Sequence, residues 1–218
     1  MSDNGPPNWT PQGPPRADGA RAVRPKPAAT LIIVRRDAAT PRVLMGRRNA
    51  GHSFMPNLWV FPGGRVDRAD FRAPSVSDLR PEVEAVFEAH LKPGRGRALA
   101  CAAIRETFEE AGLILGRPAA DLEAIDIVAR AITPPDIARR FDTWFLMAQA
   151  ERLMSLDREA DCGELEEIAW VGFEDALALP LPGVTRRILG EAQARLADPA
   201  RPRPFLRRDR RGWKPGFL

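Results

Sequence analysis

The chain has 218 residues and a mass of 24.1 kDa, which suits one domain of ordinary size and leaves little room for a second. Its 44% hydrophobic and 28% charged residues exclude wholesale disorder and a fibrous repeat. The sequence has no run of roughly 20 apolar residues that could span a membrane, and its first residues lack the pattern of a secretory signal, so we expect a cytoplasmic protein. Cys101 and Cys162 are too few for a disulfide framework.

The positive charge is concentrated at the two ends of the chain. Residues 1–27 hold seven of the 22 prolines and a charge of +2, a composition that predicts a flexible Pro-rich tail. Residues 201–218 hold six arginines and carry +6, which predicts a second, basic tail. Removing both charges from the net +4 leaves −4 on residues 28–200, where we expect a single acidic domain. The basic pI therefore does not indicate a nucleic-acid partner.

Between these tails, hydrophobic patterning predicts strands and helices around one core. Apolar runs rich in β-branched residues predict strands, and apolar residues at three- and four-residue spacing predict helices. Mixed elements of this kind favour an α+β fold arranged as an α/β/α sandwich. The predicted elements, in chain order, are strands at 28–36, 42–48 and 58–61, helices at about 80–91 and 98–111, strands near 122–130, 141–150 and 166–172, and a helix at about 183–197.

The second predicted helix carries three carboxylates on one side. Glu106 precedes Glu109 by three residues and Glu110 by four, so the three like charges lie close together. A solvated acidic face is one explanation. A bound cation is the other, and carboxylate oxygens suit Mg²⁺ or Mn²⁺. Apolar residues recur on the opposite side of the helix, and we predict that they face the core: Cys101, Ile104, Phe108 and Ala111.

This helix and the loop before it resemble the sequence box of the Nudix hydrolase family. The opening glycine of the box corresponds to Gly64 of WVFPGG, and its second half corresponds to Arg105, Glu106, Glu109, Glu110, Gly112 and Leu113. Asp70 stands where the family has glutamate, and Thr107 where it usually has an apolar residue. Asp70 and Arg105 are separated by 34 residues, where the family has seven. The excess, at about 71–97, predicts a helical insertion inside the box loop.

The resemblance implies a fold, a cofactor and a set of site residues. The Nudix fold is a mixed β-sheet between helices, and its members cleave diphosphate linkages in nucleotides with a divalent metal. By the resemblance, Glu106, Glu109 and Glu110 would hold Mg²⁺ or Mn²⁺, and Arg105 would brace these glutamates. The general base is expected from the acidic segment 157–167, where we favour Glu164 and where a solvated loop is the alternative. A homodimer is the assembly that the resemblance makes plausible.

The long insertion and the string RRFDTWFL (139–146) resemble the branch of the family that hydrolyses coenzyme A to 3′,5′-ADP and 4′-phosphopantetheine. ADP-ribose, NADH and dinucleoside polyphosphates are rival substrates, and a nucleotide-binding module without turnover is a further alternative. Substrate contacts are expected from Gly63, Gly64, Arg47 and Arg48, although both arginines could equally serve to solubilise an edge strand. Three aromatic residues could stack on a nucleobase but are more often core residues: Phe54, Trp59 and Trp144.

Overall fold

The fold is seen in a computed structural model that describes residues 13–17, 21, 23–51, 56–116, 119–154, 165–209, 212–214 and 216–218. Within these ranges the regular elements are strands β1 (Lys26–Arg35), β2 (Arg42–Arg48), β3 (Trp59–Val60) and β4 (Gly63–Arg65), helices α1 (Pro81–Glu88) and α2 (Arg95–Ala111), strands β5 (Asp126–Ile132), β6 (Phe141–Gln149) and β7 (Leu165–Gly172), helices α3 (Phe173–Ala178) and α4 (Gly183–Ala197), and strands β8 (Phe205–Asp209) and β9 (Gly212–Lys214). None of the helices in these ranges is long and apolar enough to cross a membrane.

The strands in the described part of the chain join one mixed sheet. Its main order is β3-β2-β1-β6-β5-β8-β9, while β4 also pairs with β1 and β7 also pairs with β2. β1 and β2, which correspond to the first two predicted strands, form an antiparallel hairpin. The central pair is parallel, with β1 and β6 in register from Lys26 opposite Phe141 to Val34 opposite Gln149. The two central strands of the sheet, β1 and β6, are therefore joined by contacts between residues that are distant in the sequence.

Helices cover both faces of the sheet. The central strand β1 shows this directly, because its apolar side chains are buried on both faces. Leu31 and Ile33 belong to the core cluster formed with α1 and α2. Ile32 and Val34 belong to the opposite cluster, which contains residues of α3 and α4. Successive side chains of a strand point to opposite faces, so a continuous β-branched run is what a strand buried on both sides requires. The predicted α/β/α sandwich is confirmed.

The insertion within the predicted box is folded against the body. Its helix α1 lies within the predicted range of about 80–91, and it buries Val83 and Phe87. The Phe87 ring lies 4.8 Å from the ring of Trp144 on β6. The next helix, α2, begins at Arg95, earlier than predicted, because Gly94 adopts a left-handed conformation with φ of 75° and caps it there.

The predicted domain boundary at residue 28 is wrong, because β1 already begins at Lys26. Described parts of the preceding segment also contact the body. The backbone N–H of Arg16 donates to the carbonyl of Asp136 (2.7 Å), and that of Ala138 donates to the carbonyl of Pro14 (3.0 Å). The composition of residues 1–27 did not reveal these contacts, because they are backbone hydrogen bonds that need no particular side chain.

The prediction that residues 201–218 form a basic tail is also wrong. β8 pairs in parallel with β5, with Phe205 opposite Arg130, and Phe205 is buried. The arginines of this segment bind acidic residues of the body: Arg201 pairs with Glu191 (3.0 Å), Arg203 with Asp126 (3.2 Å) and Arg208 with Asp136. Charge counted along the chain suggested a tail, whereas in the folded chain three arginines of this segment pair with acidic residues of the body.

Candidate active site

A cleft of about 470 Å³ opens beside the glycines of β4. Gly63 and Gly64 line it together with Glu106 and Glu110 from α2. The opposite wall comes from the end of β5, the start of β6, the first turn of α4, and strands β8 and β9. A cleft of this size is within the range of small-molecule sites. The predicted box loop and box helix therefore meet at a cleft that a ligand could enter.

The Gly63-Gly64 pair lets two carboxylates approach the backbone. A Cβ on Gly64 would lie 2.4 Å from the Glu106 carboxylate. The Gly63 N–H donates to Oε2 of Glu110 (2.8 Å). A Cβ on Gly63 would in turn meet the backbone of Ala29 and Thr30 on β1 at 2.6 Å. Neither glycine can carry a side chain without a shift of its neighbours. The two glycines therefore allow the loop to pack this closely against β1 and the Glu106 carboxylate.

The face of α2 that packs on the core differs from the predicted one. Cys101, Ile104 and Ala111 are buried as predicted. Phe108, however, is 41% exposed, and Glu110 is buried instead, with 4% of its surface exposed. A charged group can be buried there because the Gly63 N–H satisfies one of its oxygens. The apolar pattern of the helix alone could not reveal a partner that lies 47 residues away.

Thr107 fills the position where the box usually has an apolar residue. Its side chain is fully buried, and its Oγ1 donates to the carbonyl oxygen of Ala103 (2.8 Å), one turn earlier in the helix. The hydroxyl is therefore satisfied within the helix. The departure from the family pattern leaves no unpaired polar group in the core.

Arg105 joins the two halves of the box. Its Nε and Nη2 donate to the two oxygens of Asp70 (2.9 and 3.0 Å), and its Nη1 donates to both Glu106 (2.8 Å) and Glu109 (2.9 Å). Nη2 also donates to the carbonyl of Arg65 (3.0 Å). These bonds raise the pKa of Arg105, and the bond to Asp70 has the largest effect. Partial burial acts in the opposite direction but does not outweigh them. Arg105 therefore contacts two of the three glutamates that it is predicted to brace.

The partner of Arg105, Asp70, is the residue whose role the sequence left undecided. It lies in a short 3-10 turn, Ala69–Arg72, with only 1% of its surface exposed, and it also accepts a hydrogen bond from the Asp67 N–H (2.7 Å). Its position six residues after Gly64 was the available signal. The insertion of 27 residues made that signal weak, but the insertion begins after Asp70 and leaves the pair intact.

The acidic side chains offer only oxygen atoms as metal ligands. Glu106 and Glu109 both accept from one nitrogen of Arg105, so their carboxylates lie side by side, and Glu110 is anchored next to them by the glycine loop. Within the described ranges, no three acidic, histidine or cysteine side chains already surround one point where a metal ion could sit. Glu106 and Glu110 line the cleft, while the side chain of Glu109 is 52% exposed. Carboxylates that leave room for water and phosphate oxygens fit Mg²⁺ or Mn²⁺.

The arginines that were predicted to bind phosphate differ in position. Arg48 lines the cleft. Arg47 instead reaches Glu166 and Glu167, each at 3.3 Å, on β7. Arg65 and Arg139 also line the cleft, and sequence analysis had not singled them out. Their only sequence signal was proximity to the glycine loop and to the string RRFDTWFL.

Two of the predicted aromatic residues belong to the core. Trp59 and Trp144 are 7% and 1% exposed and do not line the cleft. The cleft instead receives Trp213 from β9, within the segment that was predicted to be a tail. Phe54 and Glu164, the predicted stacking residue and general base, lie outside the described residues.

Comparisons with known proteins agree with this architecture. The fold resembles that of a NUDIX hydrolase from Alicyclobacillus acidocaldarius, with a TM-score of 0.57 and 24% identity over 77% of this chain and 90% of that chain. The NUDIX domain of Shewanella oneidensis NrtR, solved with ADP ribose, gives a TM-score of 0.52 and 16% identity over 80% of this chain and 90% of that chain. Identities this low show a shared fold only.

Sequence similarity extends to the acyl-coenzyme A diphosphatase NUDT19 of Xenopus laevis, with 33% identity over 35% of this chain and 26% of that protein. The chain thus matches about a quarter of the length of this curated relative. The model of the NUDIX domain family matches residues 25–190, most of the chain. With the glycine loop, the carboxylate helix and the bracing arginine assembled at one cleft, this match shows that the chain belongs to the NUDIX family.

Proposed function

We propose that this protein is a metal-dependent hydrolase that cleaves the diphosphate linkage of a nucleoside diphosphate derivative, with coenzyme A or an acyl-coenzyme A as its substrate. The observation that carries the proposal is the assembled box. Arg105 binds Asp70, Glu106 and Glu109 together, and the glycine loop holds Glu110 beside them at a cleft. A module that only bound nucleotides would have no need of three crowded carboxylates.

Glu106, Glu109 and Glu110 would hold Mg²⁺ or Mn²⁺, a use that is general in this family. A divalent ion bound there supplies neutralisation of diphosphate charge and a lower pKa for bound water. The contribution of the protein is to hold the carboxylates in place before substrate arrives. The bonds from Arg105 and the Gly63 N–H reduce the rotamers open to these side chains, and this preorganisation lowers the cost of binding.

Arg48, Arg65 and Arg139 are proposed to bind the phosphate groups of the substrate. All three line the cleft that contains the carboxylates. Guanidinium groups suit phosphate because their planar N–H groups match its oxygens and stay charged at every relevant pH. Positive side chains beside a carboxylate cluster are expected in a site that must attract an anionic substrate as well as a cation.

Glu164 remains the proposed general base. Its support is positional: the next residue, Leu165, begins β7 and pairs with Arg48, which lines the cleft. In this role Glu164 would accept a proton from the attacking water.

The substrate is identified by incubating the protein with Mg²⁺ and a panel of coenzyme A, acetyl-coenzyme A, ADP-ribose, NADH and diadenosine polyphosphates, with products determined by mass. We expect 3′,5′-ADP and 4′-phosphopantetheine from coenzyme A. Fast release of AMP from ADP-ribose without cleavage of coenzyme A would overturn the substrate assignment. The similarity to the Xenopus acyl-coenzyme A diphosphatase supports the first outcome.

The site is tested with Glu106→Gln, Glu109→Gln and Glu110→Gln. Each is expected to lower Mg²⁺-dependent hydrolysis by at least about 100-fold, the upper range for disturbed metal sites, with little change in the melting temperature for Glu109→Gln. The matched control is Glu123→Gln, because Glu123 is an exposed acid that binds Arg152 and does not line the cleft. Full activity of Glu109→Gln would contradict the metal assignment of that residue.

A further inference from the structure

The wall of the cleft opposite the box is built partly from residues beyond the family match. That match ends at residue 190, whereas Leu206 of β8 and Trp213 of β9 both line the cleft. We call β8 and β9 together the C-terminal hairpin; they pair antiparallel, with Trp213 opposite Arg208. This hairpin is thus an addition to the matched domain that reaches the proposed substrate site.

The C-terminal hairpin is firmly attached to the sheet. Leu206 pairs with Ala131 on β5, and both residues line the cleft. The buried Phe205 ring lies 4.6 Å from the guanidinium of Arg130, which is also 5.0 Å from the ring of Trp144 and bound to Asp142. A wall held by strand pairing and by a buried cation between two rings has a defined position when the substrate enters.

The hairpin also holds the loop between β5 and β6. Arg208 forms an ion pair with Asp136 in that loop. Arg140 donates to the carbonyl of Thr133 (2.9 Å), closing the two ends of the loop on each other. Three residues of this loop, Thr133, Pro134 and Arg139, line the cleft. The loop and the hairpin therefore form one continuous wall.

The two ends of the cleft differ in chemistry. The end at the glycine loop presents Glu106 and Glu110 with Arg48 and Arg65. The opposite wall presents mainly apolar and aromatic surface, which includes Ile132, Pro134, Phe141, Leu206 and Trp213, together with threonines and one cation, Arg139. A ligand with phosphates at one end and a flat or apolar group at the other would match this distribution.

We propose that Trp213 is a specificity-determining residue whose indole stacks on the nucleobase of the substrate, and that the C-terminal hairpin is the nucleobase wall of the cleft. The inference rests on the proposed function, since it places the base of a nucleoside diphosphate derivative. Aromatic side chains bind nucleobases through their faces and tolerate different bases. Arg139 on the same wall adds a cation that can stack on the base or bind a phosphate.

The test compares binding of ADP, which has a base, with binding of inorganic pyrophosphate, which has none, by isothermal titration in the presence of Ca²⁺. Trp213→Ala is expected to weaken ADP binding by about 10-fold, within the range for loss of one stacking partner, and to leave pyrophosphate binding unchanged. Trp213→Phe should restore most of the ADP affinity. The matched control is Trp170→Ala, which removes a half-buried indole of β7 that contacts Arg35 and does not line the cleft.

Turnover provides a second readout on the substrate found in the panel. Loss of a contact that is the same in ground state and transition state raises KM and leaves kcat at saturation within about twofold. Unchanged ADP affinity in Trp213→Ala, or equal weakening of ADP and pyrophosphate, would overturn the inference. Weakened binding of 4′-phosphopantetheine with normal ADP binding would also overturn it, since the wall would then hold the apolar arm.

The outcomes separate this inference from the proposed function. If the wild-type protein cleaves none of the panel but binds ADP in a Trp213-dependent manner, the nucleobase wall stands and the proposed reaction fails. If the wild-type protein cleaves coenzyme A and Trp213→Ala has normal KM and normal ADP affinity, the reaction stands and the nucleobase wall fails. Melting temperatures of both tryptophan variants confirm that each compared protein is folded.

Discussion

The box and the C-terminal hairpin face each other across one cleft, yet they reach it in opposite ways. The carboxylates of the box lie within a single helix, so residue spacing alone places them together. The hairpin reaches the cleft through parallel pairing of β8 with β5, between positions 205 and 130. The comparison teaches that a catalytic motif can be local in sequence while the surface that selects its substrate is assembled over long range.

The box and the C-terminal segment also differ in how their charges are compensated. In the box, like charges crowd together, and Arg105 relieves their repulsion from within the motif. In the C-terminal segment, an excess of arginines finds its counter-charges on distant elements, at Glu191 and Asp126. A count of charge along the chain describes the first case well and misdescribes the second.

The largest expected effect tests whether the C-terminal hairpin belongs to the domain. Phe205→Ala removes a buried ring that contacts Arg130, and we expect a loss of about 3 kcal/mol in the free energy of unfolding. The control is Phe217→Ala in the same segment, where the ring is 43% exposed and the expected loss is below about 1 kcal/mol. Chemical denaturation measures the unfolding free energy of both variants. Equal stabilities would mean that the C-terminal hairpin does not contribute to the stability of the domain.

The next effect concerns the glycine loop on the box side. In Gly64→Ala the new Cβ would lie 2.4 Å from the Glu106 carboxylate, so the flexible end of that side chain must move. We expect a loss of hydrolytic activity of about 100-fold, as for other disturbed metal sites, with the fold retained. Gly190→Ala on α4 is the control, because its Cβ would meet nothing within 4 Å. Steady-state rates at several Mg²⁺ concentrations distinguish weaker metal binding from slower turnover.

A smaller effect tests the joint between the two halves of the box. Asp70→Asn leaves Arg105 with a neutral partner in place of a buried carboxylate. We expect a loss of about 2 kcal/mol in unfolding free energy, below the value for fully buried pairs because Arg105 keeps a quarter of its side chain exposed. Asp67→Asn is the control, since Asp67 takes part in this turn through its backbone N–H and its backbone carbonyl. A stability for Asp70→Asn equal to that of the control would show that the pair contributes nothing.

The smallest effect concerns pH and the contact that joins the insertion to the body. Asp121 accepts from Ser77 of the insertion (2.7 Å) and from Arg152 (2.9 Å). Burial alone would raise the pKa of Asp121, but these hydrogen bonds outweigh it and the pKa is lowered. A lowered pKa means that the contact stabilises the folded state above the ordinary carboxyl range, near pH 4, and is lost as the pH falls through the folded-state pKa.

Asp121→Asn should therefore be less stable than the wild type at pH 7 by about 1 kcal/mol, a small value because Arg152 is 43% exposed. The difference should shrink as the pH is lowered toward 3. Melting temperatures across this range measure it. A difference that stays constant with pH would mean that the charge of Asp121 has no part in stability.

The sequence was sufficient where short-range geometry decides the structure. The sandwich and the helices predicted at about 80–91, 98–111 and 183–197 follow from hydrophobic period, and they correspond to the observed sheet arrangement and to α1, α2 and α4. The contacts of Arg105 with Glu106 and Glu109 join residues one and four positions apart on one helix. The sequence was insufficient for Phe108, whose predicted burial was wrong. Glu110 is buried instead, because the backbone N–H of the distant Gly63 donates a hydrogen bond to its carboxylate.

By itself, the sequence determined the family, the carboxylate helix and the glycine loop, because these depend on residues that are neighbours along the chain or along one helix. Only the tertiary structure decided that Asp70 remains the partner of Arg105 across a 34-residue separation, and that Trp213 reaches the cleft. The physical reason is the same in both cases. Contacts between distant segments are set by strand pairing and packing, which leave no fixed spacing in the sequence.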